Sequence, residues 1–74
     1  MQITIKLFAT FRVGRFNSAA REYPAGTTVG EIIRELEIPE KELGMVLVNS
    51  RHVELDQQLN EGDSLSIFPL VGGG

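Results

Sequence analysis

The chain opens with Met1-Gln2-Ile3-Thr4-Ile5-Lys6-Leu7-Phe8-Ala9-Thr10-Phe11, a run in which apolar and polar side chains alternate. The apolar face of this run consists of four odd positions: Ile3, Ile5, Leu7 and Ala9. Strict alternation is typical of a β-strand with one buried face and one face open to solvent. Phe8 interrupts the pattern, because it is an aromatic residue among the polar even positions.

A second, weaker strand is predicted from Phe16 to Tyr23, after a turn that Gly14 permits. It ends at Pro24-Ala25-Gly26, where proline and glycine are typical turn residues. The first two strands are therefore predicted to form a hairpin.

The middle of the chain predicts one amphipathic helix. Thr28 is a candidate N-cap, and Glu31 three residues later completes the signature of a capping box. Pro39 is expected to end the helix, and Gly30 in its first turn indicates close packing, since glycine there costs about 1 kcal/mol relative to alanine. The apolar positions follow the i, i+3, i+4, i+7 spacing of a helix with one buried face: Val29, Ile32, Ile33 and Leu36.

The rest of the chain predicts short strands joined by tight turns. Met45–Val48 and His52–Val53 flank a connection at Asn49-Ser50-Arg51, and a turn at Glu61-Gly62-Asp63 precedes a last strand from Ser64 to Leu70. One helix on one face of a mixed sheet of four to five strands defines an α+β roll.

The composition excludes several classes of function. The 74 residues make one small domain without cysteine, so disulfides, thiolate metal sites and a cysteine nucleophile are excluded. The net charge is −3 with scattered lysines and arginines, so nucleic acid is not an expected partner. No apolar stretch approaches the ~20 residues that span a bilayer, and we expect a cytoplasmic protein without a membrane partner. His52 has no metal-ligating residues at suitable spacing, so it is interpreted as a surface residue and no metal is expected.

The last three residues, Gly72, Gly73 and Gly74, are the most unusual feature of the chain. Glycine at such a position gives up backbone entropy without a benefit to folding. A terminal glycine does offer an unhindered carboxylate on a slender stalk, and a frayed terminus is the alternative interpretation. We therefore predict a domain at residues 1–70 and a flexible reactive tail at residues 71–74.

Three stretches of the chain resemble one family of small carrier proteins. They are Lys6-Leu7-Phe8-Ala9-Thr10-Phe11-Arg12, Val48-Asn49-Ser50-Arg51-His52-Val53, and Glu61-Gly62-Asp63 together with Phe68-Pro69-Leu70-Val71-Gly72-Gly73-Gly74. They are similar to the opening strand, the Val-Asn hairpin, and the Gly-Asp turn and glycine tail of the MoaD/ThiS sulfur carriers. That family comprises the molybdopterin synthase small subunits and the thiamine sulfur carriers. The resemblance implies the β-grasp, or ubiquitin-like, fold.

The resemblance also implies a function for the tail. In that family an E1-like adenylyltransferase uses ATP and Mg²⁺ to adenylate the terminal carboxylate, and a sulfur donor converts it to a thiocarboxylate. Gly74 would carry the reacting carboxylate, with Gly73 beside it. The carrier itself would bind no cofactor and supply no catalytic side chain. The acceptor partner would be the molybdopterin synthase large subunit or a thiazole synthase.

The choice of branch depends on the residues before the tail. Pro69 favours the molybdopterin branch, because the thiamine carriers usually lack this proline, whereas Leu70 replaces a second proline that the molybdopterin subunits often carry. Three alternatives stay open: a carrier for thiamine thiazole synthesis, a ubiquitin-like modifier joined to lysines through Gly74, and a β-grasp interaction module that performs no chemistry.

Two aromatic residues are predicted to form a partner-binding surface beside the tail. Leu65 and Ile67 share one face of the last strand, which leaves Phe68 on the other. If the first and last strands pair in parallel, as in the β-grasp fold, Phe8 and Phe68 meet on the open face of the sheet. Two separately exposed aromatics are the alternative. The residues expected to contact partners are Phe8, Phe68, Leu70, Val71 and Gly72, and Arg12 either joins them against an acidic partner or is a solvated charge.

Overall fold

The computed structural model describes residues 1–70. Two short 3₁₀ helices, Ala9–Arg12 and Glu40–Glu42, accompany one α-helix and five strands. These elements are β1 (Gln2–Leu7), β2 (Ser18–Glu22), α1 (Val29–Glu35), β3 (Leu43–Val48), β4 (Arg51–His52) and β5 (Ser64–Pro69). In the described part of the chain, no helix is long and apolar enough to cross a membrane.

The strands form one mixed sheet in the order β2-β1-β5-β3-β4. β1 and β2 form an antiparallel hairpin, and so do β3 and β4. β5 lies between the two hairpins, parallel to β1 and antiparallel to β3. This arrangement, with α1 as its α-helix, confirms the predicted β-grasp fold and the parallel contact between the first and last strands.

The core lies between α1 and the face of the sheet that the odd residues of β1 occupy. The alternation of β1 and β5 and the i, i+3, i+4 spacing of α1 supply side chains that are 0% exposed. These are Ile3, Ile5, Leu7, Val29, Ile32, Leu65 and Ile67.

The predicted capping box is present at the start of α1. The amide of Glu31 donates to Thr28 Oγ1 at 3.3 Å, and the amide of Thr28 donates to Glu31 Oε1 at 2.8 Å. The amide of Thr28, and next its hydroxyl, which donates to Glu31 Oε1 at 3.1 Å, lower the pKa of the Glu31 carboxyl. Gly30 is packed as predicted, since a Cβ at that position would lie 3.1 Å from the carbonyl oxygen of Leu55.

The end of α1 differs from the prediction that Pro39 stops it. The helix ends at Glu35, and Glu37 takes a positive φ of 59°. The Arg15 side chain donates to the carbonyl oxygen of Leu36 at 3.0 Å and to that of Glu37 at 3.3 Å. A side chain from a distant loop therefore satisfies carbonyls that a helix end leaves free.

The first strand is also shorter than its alternation predicts. β1 stops at Leu7, and Ala9, assigned to the buried face, is exposed with a φ of 52°. The 3₁₀ helix that follows instead buries Phe11, which is 3% exposed. Phenylalanine buries far more apolar area than alanine, so the turn that places Phe11 in the core is favoured over continued extension.

Candidate functional site

A stacked aromatic pair lies on the open face of the sheet, opposite α1. The parallel register places Leu7 beside Ile67 on the buried face, so the next residues, Phe8 and Phe68, are neighbours on the other face. Their ring centroids lie 4.1 Å apart with an interplanar angle of 9°. The predicted meeting of the two rings is confirmed, and each ring remains half-buried.

An apolar groove of about 320 Å³ continues from this stack along the end of β5. Its lining consists of Gly44, Met45, Phe68, Pro69 and Leu70. Leu70 is 61% exposed, so its side chain adds accessible apolar surface to this groove. We call the stack and this groove together the open-face patch, formed by Phe8, Gly44, Met45, Phe68, Pro69 and Leu70.

Sequence reasoning missed Met45 and Gly44 as members of this patch. Met45 pairs with Phe68 across β3 and β5. In the structure Val46 and Val48 are buried, which leaves Met45 on the opposite face, but Met45-Val46-Leu47-Val48 is apolar at every position, so alternation in the sequence could not assign its faces. Gly44 offered no periodic signal, since it has no side chain to place.

Arg12 lies at the edge of the patch. Its Nε donates to the carbonyl oxygen of Leu7 at 2.8 Å, and its guanidinium carbon lies 5.4 Å from the centroid of the Phe8 ring. This distance is within the range of a cation–π contact. The 3₁₀ helix thus places a fixed positive charge beside the aromatic stack, and its contact with an acidic partner stays a prediction.

The tail residues assigned to the site lie outside the described residues: Val71, Gly72, Gly73 and Gly74. Their roles in reaction and binding therefore stay predictions, as does the boundary of the predicted tail. The structure does describe the residue before them, Leu70, whose amide donates to the carbonyl oxygen of Glu42 at 2.9 Å.

The opposite end of the sheet holds a second cavity of about 480 Å³. Asp63 lines it, but both of its oxygens are engaged, Oδ1 by the side-chain amide of Asn49 at 2.9 Å and Oδ2 by the backbone amide of Asn60 at 2.8 Å. These bonds connect the β3–β4 turn to the start of β5, which is a structural role. His52 is exposed on β4, as predicted. Within residues 1–70, no group of three or more histidine or acidic residues is placed to hold a metal ion.

The β-grasp sheet and the apolar surface beside its last strand define a ubiquitin-like domain. The chain belongs to the ThiS family, whose model matches residues 5–74. It is a ubiquitin-like sulfur carrier of the MoaD/ThiS type.

Solved structures of similar chains agree with this class. The Haloferax volcanii protein HVO 2177 is 33% identical with a TM-score of 0.80, over 100% of this chain and 87% of that one. A protein of Pyrococcus furiosus described as putative molybdopterin converting factor subunit 1 is 30% identical with a TM-score of 0.77, over 96% and 99%. A chain of the BexX/CysO complex of Amycolatopsis orientalis is 28% identical with a TM-score of 0.64, over 97% and 99%. No curated protein matches the chain with significance.

Proposed function

We propose that the chain carries sulfur as a thiocarboxylate on Gly74 and donates it in molybdenum-cofactor biosynthesis. The observation that carries the proposal is the position of the open-face patch. β5 is a central strand, and its last residues, Phe68 and Pro69, form part of this apolar surface together with Leu70, which follows the strand. The glycine tail therefore starts beside a surface that a partner protein can cover.

The chemistry needs a free C-terminus and an activating partner. A carboxylate is a poor electrophile, so it first attacks the α-phosphate of ATP, which releases pyrophosphate and forms an acyl-adenylate. Hydrosulfide released by the sulfur donor then attacks the acyl carbon and displaces AMP, which leaves the thiocarboxylate without a change of oxidation state. ATP and Mg²⁺ belong to the E1-like adenylyltransferase, and this chain contributes the carboxylate of Gly74 on an unbranched Gly73–Gly74 stalk. Without a side chain near the reacting carbon, the tail can enter a narrow active site.

The open-face patch is the proposed docking surface for the adenylyltransferase and later for the acceptor. Phe8, Phe68 and Leu70 offer apolar area that a partner can cover, and Val71 and Gly72 would extend the contact into the partner's channel. Aromatic anchors at the centre of an interface often dominate binding energy. The positive charge of Arg12 beside Phe8 favours a partner with an acidic rim.

The molybdopterin branch is favoured by Pro69 and by the 30% identity to the putative molybdopterin converting factor subunit 1. A role in thiazole synthesis is the alternative within the same chemistry. Protein modification is less favoured, because the chain has only two lysines, Lys6 and Lys41, to form chains with itself.

Pyrophosphate exchange with an E1-like adenylyltransferase tests the reacting residue. We expect exchange with the full chain, and none after removal of Gly73 and Gly74 or after addition of one alanine beyond Gly74. An alanine added before Met1 is the matched control and should leave exchange unchanged. Continued exchange by the truncated chain would contradict the proposal, because no terminal glycine carboxylate would remain in register.

Co-purification from the native host, followed by intact-mass analysis, tests the pathway. A thiocarboxylated chain bound to a pterin-binding large subunit supports the molybdopterin assignment. Recovery with a thiazole synthase, or as covalent adducts on many proteins, would assign the chain to one of the alternatives.

A further inference from the structure

The end of β5 is held to β3 across an irregular point in the sheet. Leu43 pairs with Pro69 and Met45 pairs with Phe68, so Gly44 is an extra residue without a partner on β5. Such a β-bulge bends the strand that carries it. Gly44 thus lies where β3 bends against the last residues of β5.

Glycine is required at position 44 because there is no space for a side chain, and not because of its backbone conformation. Its φ is not among the positive values of the described residues. A Cβ at this position would lie 2.7 Å from the carbonyl carbon of Pro69 and 2.9 Å from the amide nitrogen of Leu70. Both are backbone atoms, which cannot move aside as a flexible side chain can. Any larger residue must therefore push the end of β5 away from β3.

A hydrogen bond completes this contact. Pro69 has no amide hydrogen, so the next donor along the chain is Leu70, whose amide donates to the carbonyl oxygen of Glu42 at 2.9 Å. Leu70 stands where the molybdopterin subunits often carry a second proline, which would also lack the donor. The leucine in this chain therefore provides a bond that the more usual residue cannot make.

The position of this bond sets how far the reacting carboxylate can reach. Four residues follow Leu70, and an extended residue spans at most about 3.3–3.6 Å, so the length of this segment limits the reach of its last residue to roughly 14 Å from the anchoring bond. Release of Pro69 and Leu70 would add two residues, or roughly 7 Å, to that reach. It would also separate the exit point of the tail from the Phe8–Phe68 stack.

We propose that Gly44 is a positioning residue, which allows the Glu42–Leu70 bond to form and thereby sets the length and exit point of the reactive tail. This inference rests on the proposed function and adds to it a residue of the folded domain that controls where the tail starts. For a carrier that docks through the open-face patch, delivery of the Gly74 carboxylate to the adenylation site then requires a fixed distance between the patch and the start of the tail.

Amide hydrogen exchange in the full chain tests the anchor without reference to activity. In Gly44→Ala we expect the Leu70 amide to exchange at least tenfold faster than in the wild type, while the core amides of Ile5 and Ile67 keep their protection. Gly30→Ala is the matched control, since its Cβ also approaches a backbone carbonyl, that of Leu55, but far along the chain from the tail. It should not change the exchange of Leu70. Equal Leu70 exchange in wild type and Gly44→Ala would overturn the inference.

Pyrophosphate exchange with the E1-like adenylyltransferase then tests the positioning role. Misplacement by about 1 Å can cost up to about 100-fold in rate, so we expect kcat of Gly44→Ala to fall 10- to 100-fold. KM for the carrier should rise by a smaller factor than kcat falls, because Gly44→Ala displaces Pro69 and Leu70 at the edge of the open-face patch and retains the Phe8–Phe68 stack. Gly30→Ala should keep the wild-type kcat.

A second variant removes the donor without crowding Gly44. N-methylation of the Leu70 amide in a semisynthetic chain deletes this hydrogen-bond donor and keeps the leucine side chain in the open-face patch. It should show the same fall in kcat, also where Gly44→Ala does not fold. Wild-type kcat in a folded Gly44→Ala or in the chain N-methylated at Leu70 would refute the positioning role while leaving the proposed function intact. An inactive wild-type chain would instead refute the proposed function, and the inference with it.

Discussion

Replacement of Phe68 by alanine separates the contribution of the aromatic stack to folding from its contribution to docking. Phe68 is half-buried, and neither ring of the stack belongs to the buried core cluster or to the side chains packed against it. Full burial of a phenylalanine side chain is worth about 1.5–3 kcal/mol, so half of that is roughly 1 kcal/mol. The stacked geometry adds about 0.5–1.5 kcal/mol. We therefore expect Phe68→Ala to lower the free energy of unfolding by about 1.5–2.5 kcal/mol.

A loss of this size leaves the domain folded. At about 0.05–0.15 kcal/mol per residue, 74 residues give a free energy of unfolding of roughly 4–11 kcal/mol. Urea denaturation measures the loss, and a double-mutant cycle with Phe8→Ala isolates the part that belongs to the stack. A coupling energy of about 0.5–1.5 kcal/mol is expected between the two positions. Additivity within about 0.3 kcal/mol would refute the reasoning, because the rings would then contribute independently.

Binding of the same variant to the E1-like adenylyltransferase tests the docking role. We expect Phe68→Ala to weaken binding about tenfold or more, as for an interface hot spot. Phe16→Ala is the matched control, since Phe16 is also half-buried but packs against the core and beneath Arg21, 4.8 Å from its ring centroid. It should cost stability and leave the affinity unchanged. Unchanged affinity of Phe68→Ala in calorimetry would show that the patch is not the docking surface.

Two further predictions concern titration. Burial, and next the hydrogen bond from Tyr23 to Glu35 at 2.7 Å, raise the pKa of Tyr23 to about 12, so its contribution to stability is complete below pH 10 and is lost as the pH rises through 12. Absorbance titration of this single tyrosine should show a pKa closer to 10 in Glu35→Gln, and an unchanged value would contradict the assignment. The hydrogen bonds from Thr28 lower the pKa of Glu31, so that contribution is present above pH 4.5 and is lost as the pH falls through the lowered value. Denaturation at a series of pH values should show a smaller acid dependence in Glu31→Gln, which removes the carboxyl that both bonds from Thr28 stabilise, whereas the same dependence as in the wild type would exclude Glu31 as its source.

Features that depend on residues close together in the chain could be predicted from the sequence. Alternation placed Ile3, Ile5 and Leu7 in the core, because successive side chains of a strand point to opposite faces. The capping box needed only Thr28 and Glu31, three residues apart. The Phe8–Phe68 stack followed from two local parity breaks once the strands were assumed to pair in parallel, and the family resemblance supplied that assumption.

The ends of the elements and the anchor before the tail depended on the tertiary structure. β1 stops at Leu7 because Phe11 reaches the core only through a turn, and α1 ends at Glu35 with the help of Arg15, twenty residues earlier. Gly44 is the clearest example of a feature that the sequence could not predict. The residue at this position must be glycine because the backbone of Pro69 and Leu70, about 25 residues away, leaves no space for a side chain. Periodicity and capping depend on residues only a few positions apart, so they can be recognised in the sequence. The fit between distant backbones exists only after the sheet has formed.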